Sequence, residues 1–405
     1  MKSLSMQMPG SDRFFSTLGA PDELSLFCGG PFYKLQVSTH LIRVPRWDLP
    51  RRIACSLVVC WLPLIALTAL LHREELLGLL KDYLVYSRVV IAIPVLLTGQ
   101  LLMEERFRVV VRHVREAQLL SNEGKRELGN VISSLKRLRD SAFPELIILT
   151  LVVAELAVVG PGRISSGPAW AVSRTGIAVH PTAAGWYYLL ASVSSYQFLL
   201  ALSLWKWLVW SYFLYRLSRM DMTLVATHAD LHGGLGFLGL APIAFIPTAV
   251  AVSISIGGTW RYDILHHGTH LASYTLPAIM LVALIFMFEL GPLCFFISKL
   301  SMLRQRAMLE YAVLSQTHAT QFHDKWISGR ADREETPFVL GVAMLADLAT
   351  SYNNIEKMRP LPVDKITLIS LALAVLIPLF PAVLAEIPLT VILKALFQAI
   401  RSAPI

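Results

Sequence analysis

The amino-acid sequence predicts an all-α integral membrane protein of about seven transmembrane helices, with a cytoplasmic N-terminus and a cytoplasmic helical bundle formed by extended helices. Three observations lead there. The 405 residues are 55% hydrophobic and only 16% charged, against roughly 25% charged in an average soluble domain. The apolar residues gather into runs at 53–71, 84–103, 145–160, 185–213, 235–257, 273–298 and 366–385, and a hydrocarbon core of roughly 30 Å is crossed by about 20 residues of helix. The basic residues fall in alternate connections. Lys34, Arg43, Arg46, Arg51 and Arg52 precede the first run, a series from Arg106 to Arg139 follows the second, Arg216 and Arg219 follow the fourth, and Lys299, Arg304 and Arg306 follow the sixth. The other long connections, 161–184 and 258–272, hold only Arg163, Arg174 and Arg261, which by the positive-inside rule lie outside.

Taken in order, residues 1–52 form a cytoplasmic N-terminal segment. No apolar stretch precedes Arg51 and Arg52, so the first span itself is expected to direct insertion rather than a cleaved signal. Residues 53–103 hold the first two spans. In 104–143 a cytoplasmic helical hairpin is expected: Phe107, Val110, Val111 and Val114 share one helical face, a break falls at Ser121 to Gly124, and Leu128, Val131, Leu135 and Leu138 mark a second amphipathic stretch. Residues 144–298 hold spans three to six. The sixth runs on past Lys299 with Leu300, Leu303, Ala307, Tyr311 and Leu314 at helical spacing, and 339–358 reads as a further helix stopped at Pro360 and Pro362. Residues 366–405 hold the seventh span and then an amphipathic segment, apolar at Leu389, Ile392, Leu393, Leu396 and Ile400, expected to lie on the outer surface. Seven spans put the C-terminus outside.

The net charge of +8 is an orientation signal and an attraction to anionic lipid heads. The expected partner is the lipid bilayer and not nucleic acid. Cys28, Cys55, Cys60 and Cys294 lie in or beside spans or on the cytoplasmic side, which implies no disulfide framework.

In the stretch THADLHGGLGFLGL, Thr227 to Leu240, two histidines and an aspartate run into four glycines and a long apolar run. Its GLGFLG matches a dinucleotide fingerprint, but that fingerprint has meaning only after a β-strand, and here a membrane helix precedes it. The segment reads instead as an elbow between the fourth and fifth spans. Gly233, Gly234 and Gly236 supply backbone freedom, and Asp230 is placed to cap the turn that leads into the fifth span. His228, Asp230 and His232 alternate, which in an extended loop puts them on one side as a metal-ligand set. His266, His267 and His270 form a second such set on an outer loop. Both lack a further ligand for zinc.

An ionisable group within a span costs at least about 2.5 kcal/mol and faces a cavity or a partner. Glu155 falls mid-way along the third span, and Glu289 in the inner half of the sixth beside Gly291 and Pro292. Arg88 lies toward the outer end of the second span, and Lys206 toward the inner end of the fourth among Trp205, Trp207 and Trp210, where either can snorkel to the headgroups within an aromatic belt, the reading favoured for Lys206. Depth matches Arg88 with Glu155 and Lys206 with Glu289 if those spans are neighbours; unpaired, either glutamate would serve a proton or a cation. Catalytic signatures H-E-x-x-H, G-x-S-x-G and the P-loop do not occur, so neither enzymatic activity nor a cofactor is expected.

The stretches CGGPFYKLQ (Cys28 to Gln36), KDYLVYSRVVIAIPVLL (Lys81 to Leu97), THADLHGGLGFLG and LADLATSYNNIEKMRPLPVDKITLISLALAVLIPLFP (Leu345 to Pro381) resemble those of an uncharacterised family of multi-pass inner-membrane proteins of bacteria. Members often read H-P-D-x-x-G-G-L-G-F-L; here Ala229 stands in place of the proline. The resemblance implies a bacterial cytoplasmic membrane and no particular activity. Two functions are expected from the residues. One is a channel or transporter for an ion or small solute, resting on Glu155, Glu289 and the Gly-Pro break. The other is a membrane sensor or scaffold whose cytoplasmic bundle recruits a partner. Whether several copies assemble is left open.

Overall fold

The computed structural model describes residues 29–43, 48–165, 167–175, 178–328, 338–388 and 390. Seven of its helices are long and apolar enough to cross a membrane, so the chain is a multi-pass all-α membrane protein. After a short helix α1 (Gly30–Ser38) comes the first span, α2 (Leu49–Leu71), which begins four residues earlier than the apolar run because Pro50 starts its first turn. The short α3 (Leu76–Lys81) leads to α4 (Tyr83–Glu116), then α5 (Asn122–Asp140) and α6 (Phe143–Ser165). An antiparallel hairpin, β1 (Val172–Thr175) and β2 (Ala178–Pro181), precedes α7 (Ala183–Arg219). The remaining helices are α8 (Gly236–His267), α9 (Leu271–Phe322), α10 (Phe338–Lys357) and α11 (Lys365–Glu386). The expected amphipathic segment, from Leu389 on apart from Thr390, and the N-terminal Cys28 lie outside the described residues.

Helix lengths explain the second body of the molecule. At 1.5 Å per residue the 52 residues of α9 extend about 78 Å, far more than a hydrocarbon core. Its second half and the last turns of α4 and α7 therefore project from one end of the spans, where α5 and α10 pack on them. Ser121 caps α5 by accepting from the Gly124 N–H (3.1 Å), and Arg137 and Arg139 occupy its last turn, both favourable to the helix dipole. We call this the basic end. The opposite end carries α3, the β hairpin and the turn before α9. The hairpin was not expected from the sequence: two four-residue strands in a polar connection carry almost no periodic signal.

Within the spans, α4, α7 and α8 occupy the middle. α8 packs along α11 on one side and α4 on the other, while α6 packs chiefly on α7. Lipid-facing positions stay apolar, with Leu70, Val158 and Ile366 more than three-quarters exposed, as hydrocarbon solvent requires. α8 and α11 approach closely at Gly257: a Cβ there would sit 2.9 Å from the Pro378 carbonyl oxygen and 3.3 Å from Leu379 Cα, which is the close helix contact that glycine permits. Gly257→Ala should therefore destabilise by about 2 kcal/mol through overpacking, read as a lowered melting temperature in detergent.

Candidate functional site

Two of the central spans are wound irregularly at the same depth. α4 contains a π-helical segment at Tyr86–Ala92 and α7 another at Tyr188–Val193, and the two touch. Such wide turns re-aim side chains out of regular helical register and gather at functional sites. Arg88 sits in the first. Its Nε donates to Ser255 Oγ (3.2 Å), Nη1 to Tyr188 Oη (3.3 Å) and Nη2 to Thr259 Oγ1 (3.0 Å). All three acceptors are neutral hydroxyls, and among the described residues no carboxylate stands within ion-pair distance of it. The pairing with Glu155 suggested by depth is not made: α6 packs chiefly on α7, and Glu155 accepts a hydrogen bond from Gln197 Nε2 (2.8 Å) on that helix.

Toward the hairpin end, Arg88 borders a cavity of about 190 Å³ walled by Leu84, Trp170, Tyr188, Thr259 and Asp263. This adjoins a wider vestibule of about 860 Å³ bordered by Glu75, Lys81, Asp82, Trp170, Arg261 and His266. Its walls come from the loop 167–170, the start of α4 and the end of α8, with Gly78 and Lys81 of α3 and Val172 of β1 at the rim. Asp82 accepts from Trp170 Nε1 (2.9 Å) and the Leu84 N–H (2.9 Å); burial raises its pKa above the ordinary carboxylate value, although these bonds pull the other way. Asp263 is met by His267 Nδ1 (3.1 Å) and Tyr274 Oη (3.2 Å). Arg261 donates to the Pro381 carbonyl (3.0 Å) and lies over the Tyr83 ring.

In the other direction the spans close. Phe107 stacks on Trp210 with ring centroids 4.0 Å apart and meets Phe245 at 5.4 Å, while Trp210 stacks on Phe213 at 5.2 Å. All four rings are 2% exposed or less. One residue from α4, two from α7 and one from α8 thus form an aromatic layer, continuous with the apolar core of the basic end.

Glu289 is 4% exposed, and its Oε2 has no hydrogen-bond partner among the described residues. No ion pair joins it to Lys206. Lys206 is buried at a small pocket of about 30 Å³ that Arg52, Gln100 and Glu145 also line. The depth match failed because Lys206 faces α1, α2 and α6, whereas Glu289 continues the buried stripe of Leu281 and Ile285, which packs against α8 and α11. Two polar contacts escaped sequence reading. Arg52, read as an orientation charge, is buried and donates to Gln100 Oε1 (2.8 Å), and Arg108 pairs with Glu104 (3.0 Å) inside α4. A charge in the first turn of a helix, as Arg52 is, gives no signal of which way it turns.

The stretch from Thr227 to Leu240 is an elbow. The Asp230 carboxylate accepts from the backbone N–H groups of His232 (2.8 Å), Gly234 (3.2 Å) and Gly236 (2.8 Å). Burial raises its pKa, yet these bonds and His228 outweigh that and hold it below the usual carboxylate value. Gly233 and Gly234 adopt left-handed backbone, φ 65° and 94°, and a Cβ on Gly233 would press on Leu303 and Met358. The elbow also grips the end of α10: the Arg359 N–H donates to the Leu231 carbonyl (2.8 Å), His232 Nδ1 meets the Arg359 carbonyl (3.1 Å) and Asn354 Nδ2 reaches the Thr227 carbonyl (3.3 Å).

The two metal-ligand sets suggested by the sequence are not assembled. His232 is turned to a carbonyl, both Asp230 oxygens face backbone donors, and His266, His267 and His270 turn to Tyr262, Asp263 and Glu386 respectively. Among the described residues no three His, Cys, Asp or Glu side chains converge as a metal site. No family model, curated protein or solved structure matches the chain.

Proposed function

We propose that the protein is a transporter or gated channel of the bacterial cytoplasmic membrane, passing a small solute or ion. The observation that carries this reading is the vestibule that enters the spans from the hairpin end and stops at Arg88, short of the aromatic layer. A path open to one face and shut toward the other is what a gated pathway needs in one of its states. The distribution of basic residues supports a cytoplasmic N-terminus and basic end, with the vestibule facing outward. The resemblance to bacterial inner-membrane proteins agrees with that membrane. In-span Glu289, buried with an unpartnered oxygen, is suited to carry a coupling proton.

The test is flux from liposomes holding the purified protein, under K⁺ or H⁺ gradients and with labelled small solutes outside. Saturable flux supports the reading, and loss of H⁺ movement in Glu289→Gln would assign that residue to coupling. No flux from well-folded protein would overturn it.

A second reading, a scaffold acting through the basic end, is favoured by one feature. Beyond the spans, α9 leaves Met302, Leu309 and Val313 about two-thirds or more exposed at helical spacing on one face, a strip that a partner would cover. A stoichiometric soluble partner that is lost on Leu309→Lys, together with absent flux, would select it.

A further inference from the structure

We infer that the Arg88 end of the cavity is a binding site for a small solute bearing one carboxylate. The inference rests on the proposed pathway and deepens it by naming what is held there. A guanidinium carries five N–H donors in a planar fork. In Arg88 three are spent on Ser255, Tyr188 and Thr259, leaving one on each terminal nitrogen. A carboxylate accepts two such donors with its two oxygens, which is why arginine recognises it better than a point cation does. The charge itself asks for an anion. Among the described residues Arg88 touches only hydroxyl partners, the Asp82 carboxylate acts on it only at longer range, and a cation set in a span without a contacting counter-charge is costly.

The surroundings narrow the class. The cavity of about 190 Å³ equals roughly six liquid waters in volume, enough for a small organic acid seated against Arg88. Trp170, Tyr188, Leu84 and Val193 supply flat and apolar wall for the carbon body, the mix found in small-molecule sites. Asp263 stands four residues after Thr259 on α8, about 6 Å further toward the mouth, and borders the same cavity. A second carboxylate on the solute would be repelled there, while an amino group would be welcomed. Monocarboxylates and amino acids fit, and dicarboxylates do not.

The experiment is titration of the purified protein in detergent with propionate, alanine, succinate, inorganic phosphate and chloride, read by calorimetry and by melting temperature. Propionate, alanine or both should bind saturably and raise the melting temperature, with succinate at least tenfold weaker. Arg88→Gln should abolish binding, and Thr259→Val, which removes one of the bonds that aim the fork, should weaken it about tenfold. Asp263→Asn should weaken alanine and leave propionate unchanged or tighter, which separates an amino acid from a simple acid as the ligand. If Arg88→Gln does not fold, the Thr259→Val and Asp263→Asn results decide. Binding of phosphate or chloride with neither carboxylate, equal binding by wild type and Arg88→Gln, or no binding by any probe would each overturn the inference. A protein that binds none of them yet moves an ion in liposomes would overturn the carboxylate site and leave the pathway standing.

Discussion

Replacing Asp230 with alanine should destabilise the protein by about 3 kcal/mol and release the end of α10. The carboxylate accepts three backbone N–H bonds that the elbow cannot satisfy otherwise, and hydrogen bonds to a charged acceptor contribute about 1.5–3 kcal/mol each without being additive. Its side chain is 22% exposed, so screening removes only part of that. Asp230→Asn keeps one carbonyl oxygen for His232 and Gly234 and loses the acceptor for Gly236, and should cost about 1 kcal/mol. The elbow holds Arg359 through both its N–H and its carbonyl, so proteolysis between 338 and 364 should quicken in the alanine variant while the spans stay protected. The lowered pKa sets the pH dependence. The stabilisation is fully present above the unfolded value, about 3.9, and is lost as pH falls through the lower folded value. Melting temperatures of wild type and Asp230→Asn should therefore begin to draw together as pH falls below about 4. A constant gap down to pH 3 would show that Asp230 acts through something other than its charge.

Phe107→Ala should have a comparable cost and a second, functional effect. The ring is 1% exposed, stacked on Trp210 and tilted against Phe245, and removing a buried phenylalanine costs about 3–5 kcal/mol, including the cavity left behind. Here the cavity opens in the aromatic layer where the spans meet the basic end, 19 residues along α4 from Arg88. Liposomes holding Phe107→Ala should leak small ions above the wild-type level, whereas Phe107→Leu, which refills most of the volume, should cost about 1 kcal/mol and stay tight. A variant that melts at the wild-type temperature and does not leak would remove the aromatic layer as a gate.

What the sequence made legible depends on the range of the interactions involved. A span declares itself within 20 residues, because hydrocarbon solvent demands apolar side chains around the whole helix, and seven of them were readable. So was the continuation of α4 and α9 into amphipathic helix, since Phe107 to Val114 and Leu300 to Leu314 keep helical spacing beyond the apolar runs. Arg88 and Glu289 stood out because charge in a span is rare, but their surroundings did not. Thr259 lies 171 residues from Arg88, Trp170 lies 88 from Asp82, and Arg359 lies 127 from His232; no local pattern encodes such pairs. The matching of Arg88 with Glu155 and of Lys206 with Glu289 used depth alone, and depth does not say which helices are neighbours. The two π-helical segments have no proline or glycine to announce them within Tyr86–Ala92 or Tyr188–Val193, and they decide where Arg88 and Tyr188 point.

The measurement closest to the central claim, a cavity that reaches Arg88 from one face only, is sided labelling in oriented liposomes. Leu84→Cys lies in the cavity wall and Ser133→Cys on the exposed face of α5; both would be made in a chain whose native cysteines are replaced by alanine. A membrane-impermeant maleimide added to the hairpin face should modify Leu84→Cys and not Ser133→Cys, the reverse should hold from the basic face, and propionate or alanine should slow the first reaction. Labelling of Leu84→Cys from both faces, or from the basic face alone, would contradict a one-sided path ending at Arg88.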